Sequence, residues 1–371
     1  MAKQVCQYCL RRFEAPHDAA EGAEVTCPFC GKRNLLSPTQ TAKPRDLTLP
    51  PLPPTKGLSS QQVSEIARDI IANVEKVIVG KHDQVVLAVG TLFAEGHLVV
   101  EDVPGVAKTM LARALAQSAG CTFKRIQCTP DLQPSDILGE TFVDAESGRT
   151  EFRSGPLFAQ IVLVDEINRA SPRTQAALLE AMGEGAITKG RITYDLEHPF
   201  MVMATQNPIE QEGTFRLPEA QLDRFLIRLT LGYPSLADEK QMCDRFQLRH
   251  PMETLKSVTT PDRVMACQQA VRDVQISPAV RDYALGIVTA TRGHPKLLLG
   301  ASPRASLGLL RISQALTAIQ GYNAVPVEQV KAISQAVLAH RVIVRGEAGH
   351  STTAAAAVIV EILGRPSDTG M

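Results

Sequence analysis

The stretch "HLVVEDVPGVAKTMLARALAQSAG", residues 97–120, constrains this chain more than any other. A short apolar run leads into a loop, and a Lys-Thr pair then opens a segment of helical period. That order of strand, loop and helix is what the phosphate-binding pattern G-x-x-x-x-G-K-[ST] requires. Two of its glycine positions hold Asp102 and Ala107 instead. Ala107 keeps its N–H and loses only backbone freedom. In this context Lys108 is expected to reach the β- and γ-phosphates of a nucleotide and Thr109 to hold magnesium. The loop residues Pro104, Gly105, Val106 and Ala107 would wrap the phosphates, with backbone N–H groups from Gly105 to Thr109 lining them. Taken alone, the altered loop leaves three alternatives open: a working site, a decayed one and a chance match.

Other segments bear on the choice. "IVLVDEINRA" is a buried-strand pattern with Asp165 and Glu166 at its C-terminal end, where ligands collect on open α/β sheets. Asp165 can coordinate magnesium through water, and Glu166 can orient and deprotonate an attacking water. "FMVMATQNP" ends in Gln206 and Asn207, and an amide there could fix that water; an ordinary strand-ending turn before Pro208 explains the same residues. Arg224, in "LPEAQLDRF", falls on a helix ahead of another strand. Arg304, in "SPRAS", falls in a first helical turn, where a positive charge opposes the helix dipole and a nearby anion would account for it.

Strand-like runs alternate with helical segments from residue 58 to 232, and apolar runs that do not alternate imply a parallel sheet covered on both faces. From Tyr233 to the end, helices take over, several with Ser-Pro starts at Ser277-Pro278 and Ser302-Pro303. Residues 37–57 are proline-rich and read as a linker. Residues 1–36 hold Cys6-x2-Cys9 and Cys27-x2-Cys30, a spacing that sets four thiolates around one tetrahedral zinc. So short a segment buries too little to fold alone, so zinc would be structural and would supply its folding energy. The remaining cysteines, Cys121, Cys128, Cys243 and Cys267, share no ligand spacing and are expected to be packing residues.

Lys and Arg number 39, as do Asp and Glu, so net charge exerts no global pull toward nucleic acid. With no tryptophan and 4% aromatics, a base-stacking surface is disfavoured. No apolar run is long enough to span a bilayer, and "MAKQVCQYCLRRF" lacks a secretory h-region, so a cytoplasmic location is expected.

Together "EDVPGVAKT", "VDEINRASPRTQAALLEAM", "ATQNPIEQEGTFRLPEAQLDRF" and "GASPRAS" resemble the MoxR family of AAA+ ATPases, over residues 60–365. The resemblance implies an α/β class fold: an AAA+ P-loop ATPase core, a parallel sheet between helices, with a C-terminal helical lid. The zinc ribbon at the N-terminus lies outside that family core. On this pattern Lys108 and Thr109 are the Walker A pair, Asp165 and Glu166 the Walker B pair, and Asn207 the first sensor. Arg224 is the arginine finger given to a neighbouring subunit and Arg304 the second sensor. A homo-oligomeric ring, a hexamer, is implied, using ATP and Mg2+ beside the Zn2+ of the ribbon. Residues 139–155 and "AITKGRITY" read as two β-hairpins matching insertions of this clade.

The leading functional expectation is ATP-driven remodelling or maturation of a protein client, including metal-cofactor insertion, with a von Willebrand factor A domain protein as a separate partner chain. One alternative is a DNA-acting ATPase using the ribbon; zero net charge and few aromatics count against it. Another is a nucleotide-gated scaffold that does not hydrolyse ATP, suggested by the altered loop.

Overall fold

The computed structural model describes residues 3–5, 12–14, 24–26, 33–35, 57–103, 105–143, 150–189, 192–207, 214–246, 251–346 and 352–364. The chain divides into two compact units, residues 1–55 and 56–371. In the first, Lys3–Val5 pairs antiparallel with Arg12–Glu14, and Glu24–Thr26 with Arg33–Leu35. The segments connecting each pair, 6–11 and 27–32, carry Cys6, Cys9, Cys27 and Cys30, which lie outside the described residues, as does the expected linker up to residue 56.

The second unit is built on five parallel strands: β1 (Leu98–Glu101), β2 (Phe123–Gln127), β3 (Ile161–Asp165), β4 (Met201–Gln206) and β5 (Ile227–Leu229). Their order across the sheet is β5-β1-β4-β3-β2. Side chains alternate between faces with a period of two. Leu98, Val100, Ile161, Leu163, Met201 and Met203 enter one core, and Val99, Val162, Val164, Val202 and Ala204 the other. Both faces are therefore covered, which is why these strands read as unbroken apolar runs.

The helices are α1 (Ser60–Val74), α2 (His82–Phe93), α3 (Lys108–Ala119), α4 (Pro134–Leu138), α5 (Pro172–Glu184), α6 (Glu219–Leu222), α7 (Leu236–Phe246), α8 (Pro261–Arg272), α9 (Pro278–Gly293), α10 (Pro303–Ile319), α11 (Val327–Leu338) and α12 (Thr352–Gly364). Ser59 caps α1: its hydroxyl accepts the Gln62 N–H at 3.3 Å while the Gln62 side chain accepts the Ser59 N–H at 2.9 Å. Ser277 and Ser302, each followed by proline in the first turn, cap α9 and α10 through their hydroxyls, which accept the Val280 and Arg304 N–H groups. The long α10 packs on α1, α2, α9 and α11, so C-terminal helices and the sheet's first layer share one core. Residues 139–143 and 150–154 form one antiparallel hairpin, and 186–189 and 192–195 another, as the sequence predicts.

Two expectations need correction. Leu297–Leu299 pairs antiparallel with Ile343–Val344 in the region read as helical, because a pair this short carries no detectable period. Cys128 and Cys267 are buried and Cys121 half-buried, but Cys243 is exposed on α7, a helix that buries none of its residues. None of the helices in the described residues is long and apolar enough to cross a membrane.

One buried histidine makes the fold pH-sensitive. His97 Nδ1 accepts the Val202 N–H at 3.1 Å, so Nε2, 3.1 Å from the Met182 carbonyl, donates to it. Burial pushes its pKa down from 6.5 to about 4, against a smaller opposing effect of the Met182 bond. The unfolded chain therefore binds a proton that the folded one refuses between pH 6.5 and 4. The stability that neutral His97 contributes should be fully present above this window and fall by about 3 kcal/mol as pH drops through it, beside a further loss from buried His340, whose pKa burial also lowers. Denaturant melts of the chain and of His97→Gln at a series of pH values check this; an unchanged slope in the variant would contradict it.

Candidate nucleotide site

The C-terminal ends of β1, β4 and β3 lie together, since Gln206 is in register with Glu101 and Ala204 with both Val99 and Val164. At this edge the loop after β1 turns into α3. Gly105 has φ +85° with open space where a side chain would stand, and Ala107 occupies the left-handed region at φ 63°. A left-handed residue directly before α3 is where glycine costs nothing, whereas Ala107 carries about 1 to 2 kcal/mol of strain. The backbone keeps the glycine conformation although the side chain has changed. Val106 is buried in the core, Lys108 and Thr109 begin α3, and Pro104 lies outside the described residues.

Asp102, the other departure from the pattern, is nearly inaccessible at 6% exposure. One carboxylate oxygen accepts the Val103 N–H at 2.8 Å; the other accepts the N–H groups of Leu231 at 2.7 Å and Gly232 at 2.6 Å. Its carbonyl accepts Lys108 Nζ at 2.7 Å. Asp102 thus clamps the start of the loop to the chain leaving β5, a task a glycine cannot perform. Asp102→Gly, which would restore the general pattern, is expected to lower stability by about 3 to 5 kcal/mol because three N–H groups lose a charged acceptor. Equilibrium unfolding measures this, and a loss below about 1 kcal/mol would contradict the clamp.

Asp165 ends β3 and Glu166 follows in the left-handed region at φ 56°. Thr205, fully buried in β4, joins the two: its hydroxyl donates to Asp165 Oδ1 at 2.6 Å and accepts the Glu166 N–H at 2.8 Å. Asp165 Oδ2 accepts Arg125 Nη2 at 2.7 Å, and Glu166 Oε2 accepts Gln127 at 2.9 Å and Arg169 at 3.1 Å. Cys128 lies beside this pair, its thiol pushed up to about 12 by burial first and then by the two carboxylates. Asn207 is buried immediately after β4.

Arg224 follows α6, and its Nη1 donates to the Leu179 carbonyl of α5 at 2.7 Å. Its neighbour Asp223 accepts the Ser302 hydroxyl at 2.8 Å and pairs with Arg341 Nε at 3.3 Å. Ser302 is the cap of α10, and Arg304 stands exposed in the first turn of that helix. Arg341 is buried, donates to the Phe225 carbonyl at 2.6 Å, and has its pKa pushed down to about 10 by burial, against the pull of Asp223. The α10 start is thereby tied to the chain that carries Arg224.

A cleft of about 640 Å³ opens between residues 75–84 and α7, lined by Ile78, Val79, Gly80, Asp238 and Gln241 among others. Lys81, in its lining, donates Nζ to the Tyr233 carbonyl at 2.9 Å, one residue from the Gly232 held by Asp102. The donor set suits magnesium, whose shell takes one or two carboxylates with phosphate oxygens and water completing it. Thr109 and Asp165 could supply such oxygens; among the described residues no group of three His, Cys, Asp or Glu could hold a metal ion unaided.

Sequence reasoning missed Thr205, Arg125, Gln127, Arg169 and the Asp223–Ser302–Arg341 tie, and gave Asp102 no structural task. Arg125 and Gln127 were signalled only by two polar residues two apart on one strand.

A model of the ATPase family associated with various cellular activities (AAA) matches residues 97–227, and a model of the AAA lid domain matches residues 289–362. Sheet order, loop and acid pair thus belong to an AAA ATPase core followed by its lid. "Uncharacterized protein YeaC" of Bacillus subtilis is 44% identical over 293 residues, covering 79% of this chain and 92% of that protein. Chaperone MoxR1 of Mycobacterium tuberculosis is 39% identical over 289 residues, covering 75% of this chain and 76% of the relative. A solved structure from Cytophaga hutchinsonii, assigned as an ATPase, superposes with a TM-score of 0.75 at 34% identity, covering 81% of this chain and 95% of that one. The chain belongs to the MoxR family of AAA+ ATPases.

Proposed function

We propose that the chain binds ATP with magnesium at the β1–α3 loop and hydrolyses it at the interfaces of a homo-oligomeric ring, a hexamer, to remodel or mature a protein client. Lys108 and the loop N–H groups from Gly105 to Thr109 would hold the phosphates, and Thr109 and Asp165 the magnesium, which neutralises phosphate charge. Glu166 would deprotonate the attacking water, with Asn207 positioning it. Arg304 would reach the phosphates from the lid, and Arg224 would serve the neighbouring copy's site. The cleft beside Ile78–Gly80 gives room for the base and ribose.

The observation that carries this is the joining of the Asp165–Glu166 pair to β4 through Thr205, at the same sheet edge as the Lys108 loop. MoxR1 bears the name chaperone, which favours a protein client. The division is 58–232 for the ATPase core and 233–371 for the lid, with a zinc ribbon at 1–36 and a linker at 37–57. Zinc would be held by Cys6, Cys9, Cys27 and Cys30, whose spacing suits four thiolates around one tetrahedral ion. One zinc per chain, lost in Cys27→Ser, is the expected metal content; a zinc-free native chain would sink it. A separate von Willebrand factor A protein as partner, and a cytoplasmic setting, complete the proposal. Equilibrium ATP binding tests the site: binding that Lys108→Ala leaves unchanged would refute it.

A further inference from the structure

Arg224 does not extend freely from the end of α6. Its guanidinium rests on the C-terminal part of α5, where the Leu179 carbonyl accepts Nη1 at 2.7 Å. The negative end of a helix favours a cation there. Gly183 lies four residues beyond Leu179, so helical geometry brings both to one patch of the α5 surface. A methyl group built on Gly183 would overlap Arg224 Nη1, and the three heavy atoms nearest to it are Nη1, Cζ and Nη2 of that guanidinium. The absent side chain of Gly183 is therefore the room that Arg224 fills. Glycine inside a helix is otherwise disfavoured against alanine, so its presence here has a geometric reason.

The rest of Arg224 is fixed from the other side. Its N–H bonds the Gln221 carbonyl at 3.1 Å, and the preceding Asp223 is tied to Ser302 and Arg341. Arg224 is thus held both at its backbone and at its guanidinium. The helix it rests on begins just after Glu166, at the Ser171 cap. The start of α5 thus follows the subunit's own acid pair in the chain by a few residues, and its far end holds the arginine.

We infer that Gly183 is a positioning residue that seats Arg224 on α5 in the orientation it needs to act on the neighbouring copy's nucleotide. This rests on the proposed role of Arg224. A seated guanidinium meets its target with fewer rotamers to lose, and misplacing it affects the neighbour's site without touching the subunit's own.

The test compares full-length Gly183→Ala, Arg224→Ala and Lys108→Ala chains. Alanine favours the helix and displaces only a flexible side-chain end, so Gly183→Ala should fold as the unaltered chain does; circular dichroism and the oligomeric state verify this. Its turnover at saturating ATP should fall roughly 10-fold or more, with ATP affinity unchanged. Mixed with Lys108→Ala chains, which lack their own site but supply a normally seated Arg224, turnover per Gly183→Ala chain should recover by several-fold. A structural defect confined to the Gly183→Ala subunit would not be repaired in this way. Undiminished turnover in Gly183→Ala, or a loss that mixing does not repair, overturns the seat if Arg224→Ala is itself impaired. Undiminished turnover in Arg224→Ala removes instead the role of Arg224 on which the seat depends.

Discussion

Glu166→Gln is expected to lower ATP turnover by roughly 10²- to 10⁴-fold while leaving ATP binding intact, because it removes the general base and keeps the shape. Two features favour Glu166 over Asp165 for the proposed role of base. Its backbone is held left-handed at φ 56°, with its N–H on Thr205, an unfavourable conformation that a neighbour fixes. Asp165 has both oxygens engaged, by Thr205 and Arg125, and in the proposal it holds magnesium. Glutamine can still accept from Gln127 and Arg169 but cannot take a proton from water. Single-turnover measurements separate chemistry from release, and a variant with near-normal turnover would reassign the base.

Arg224→Ala should lower turnover by about 10³-fold, within the range for an arginine supplied across an interface. Its effect should differ from that of Lys108→Ala in sparing ATP binding, because Arg224 leans on α5 and is not part of its own subunit's loop. Loss of ATP affinity in Arg224→Ala comparable to that of Lys108→Ala would place the arginine in its own site.

The parallel sheet, the helix starts and the residues of the loop and acid pair were legible because each has a local cause. Buried strands appear as apolar runs, and Ser-Pro pairs mark the starts of α9 and α10. What escaped depends on contacts across the chain. Asp102 looks like a missing glycine until Leu231 and Gly232, far along the sequence, are seen donating to it. Thr205 is an unremarked strand residue until its hydroxyl meets Asp165. Gly183 looks like a weak point in α5, and only the fold brings Arg224 into its space. The antiparallel pair of Leu297–Leu299 with Ile343–Val344 joins segments far apart in the chain and has no period of its own.

The proposed hydrolysis lies between copies of the chain, so steady-state phosphate release from ATP and magnesium should be measured across a range of protein concentrations. Turnover per chain should be low when dilute, rise to a plateau as rings assemble, and stay low at every concentration in Arg224→Ala. Turnover per chain that is independent of concentration down to a demonstrated monomer, or no phosphate release at any concentration, would contradict it.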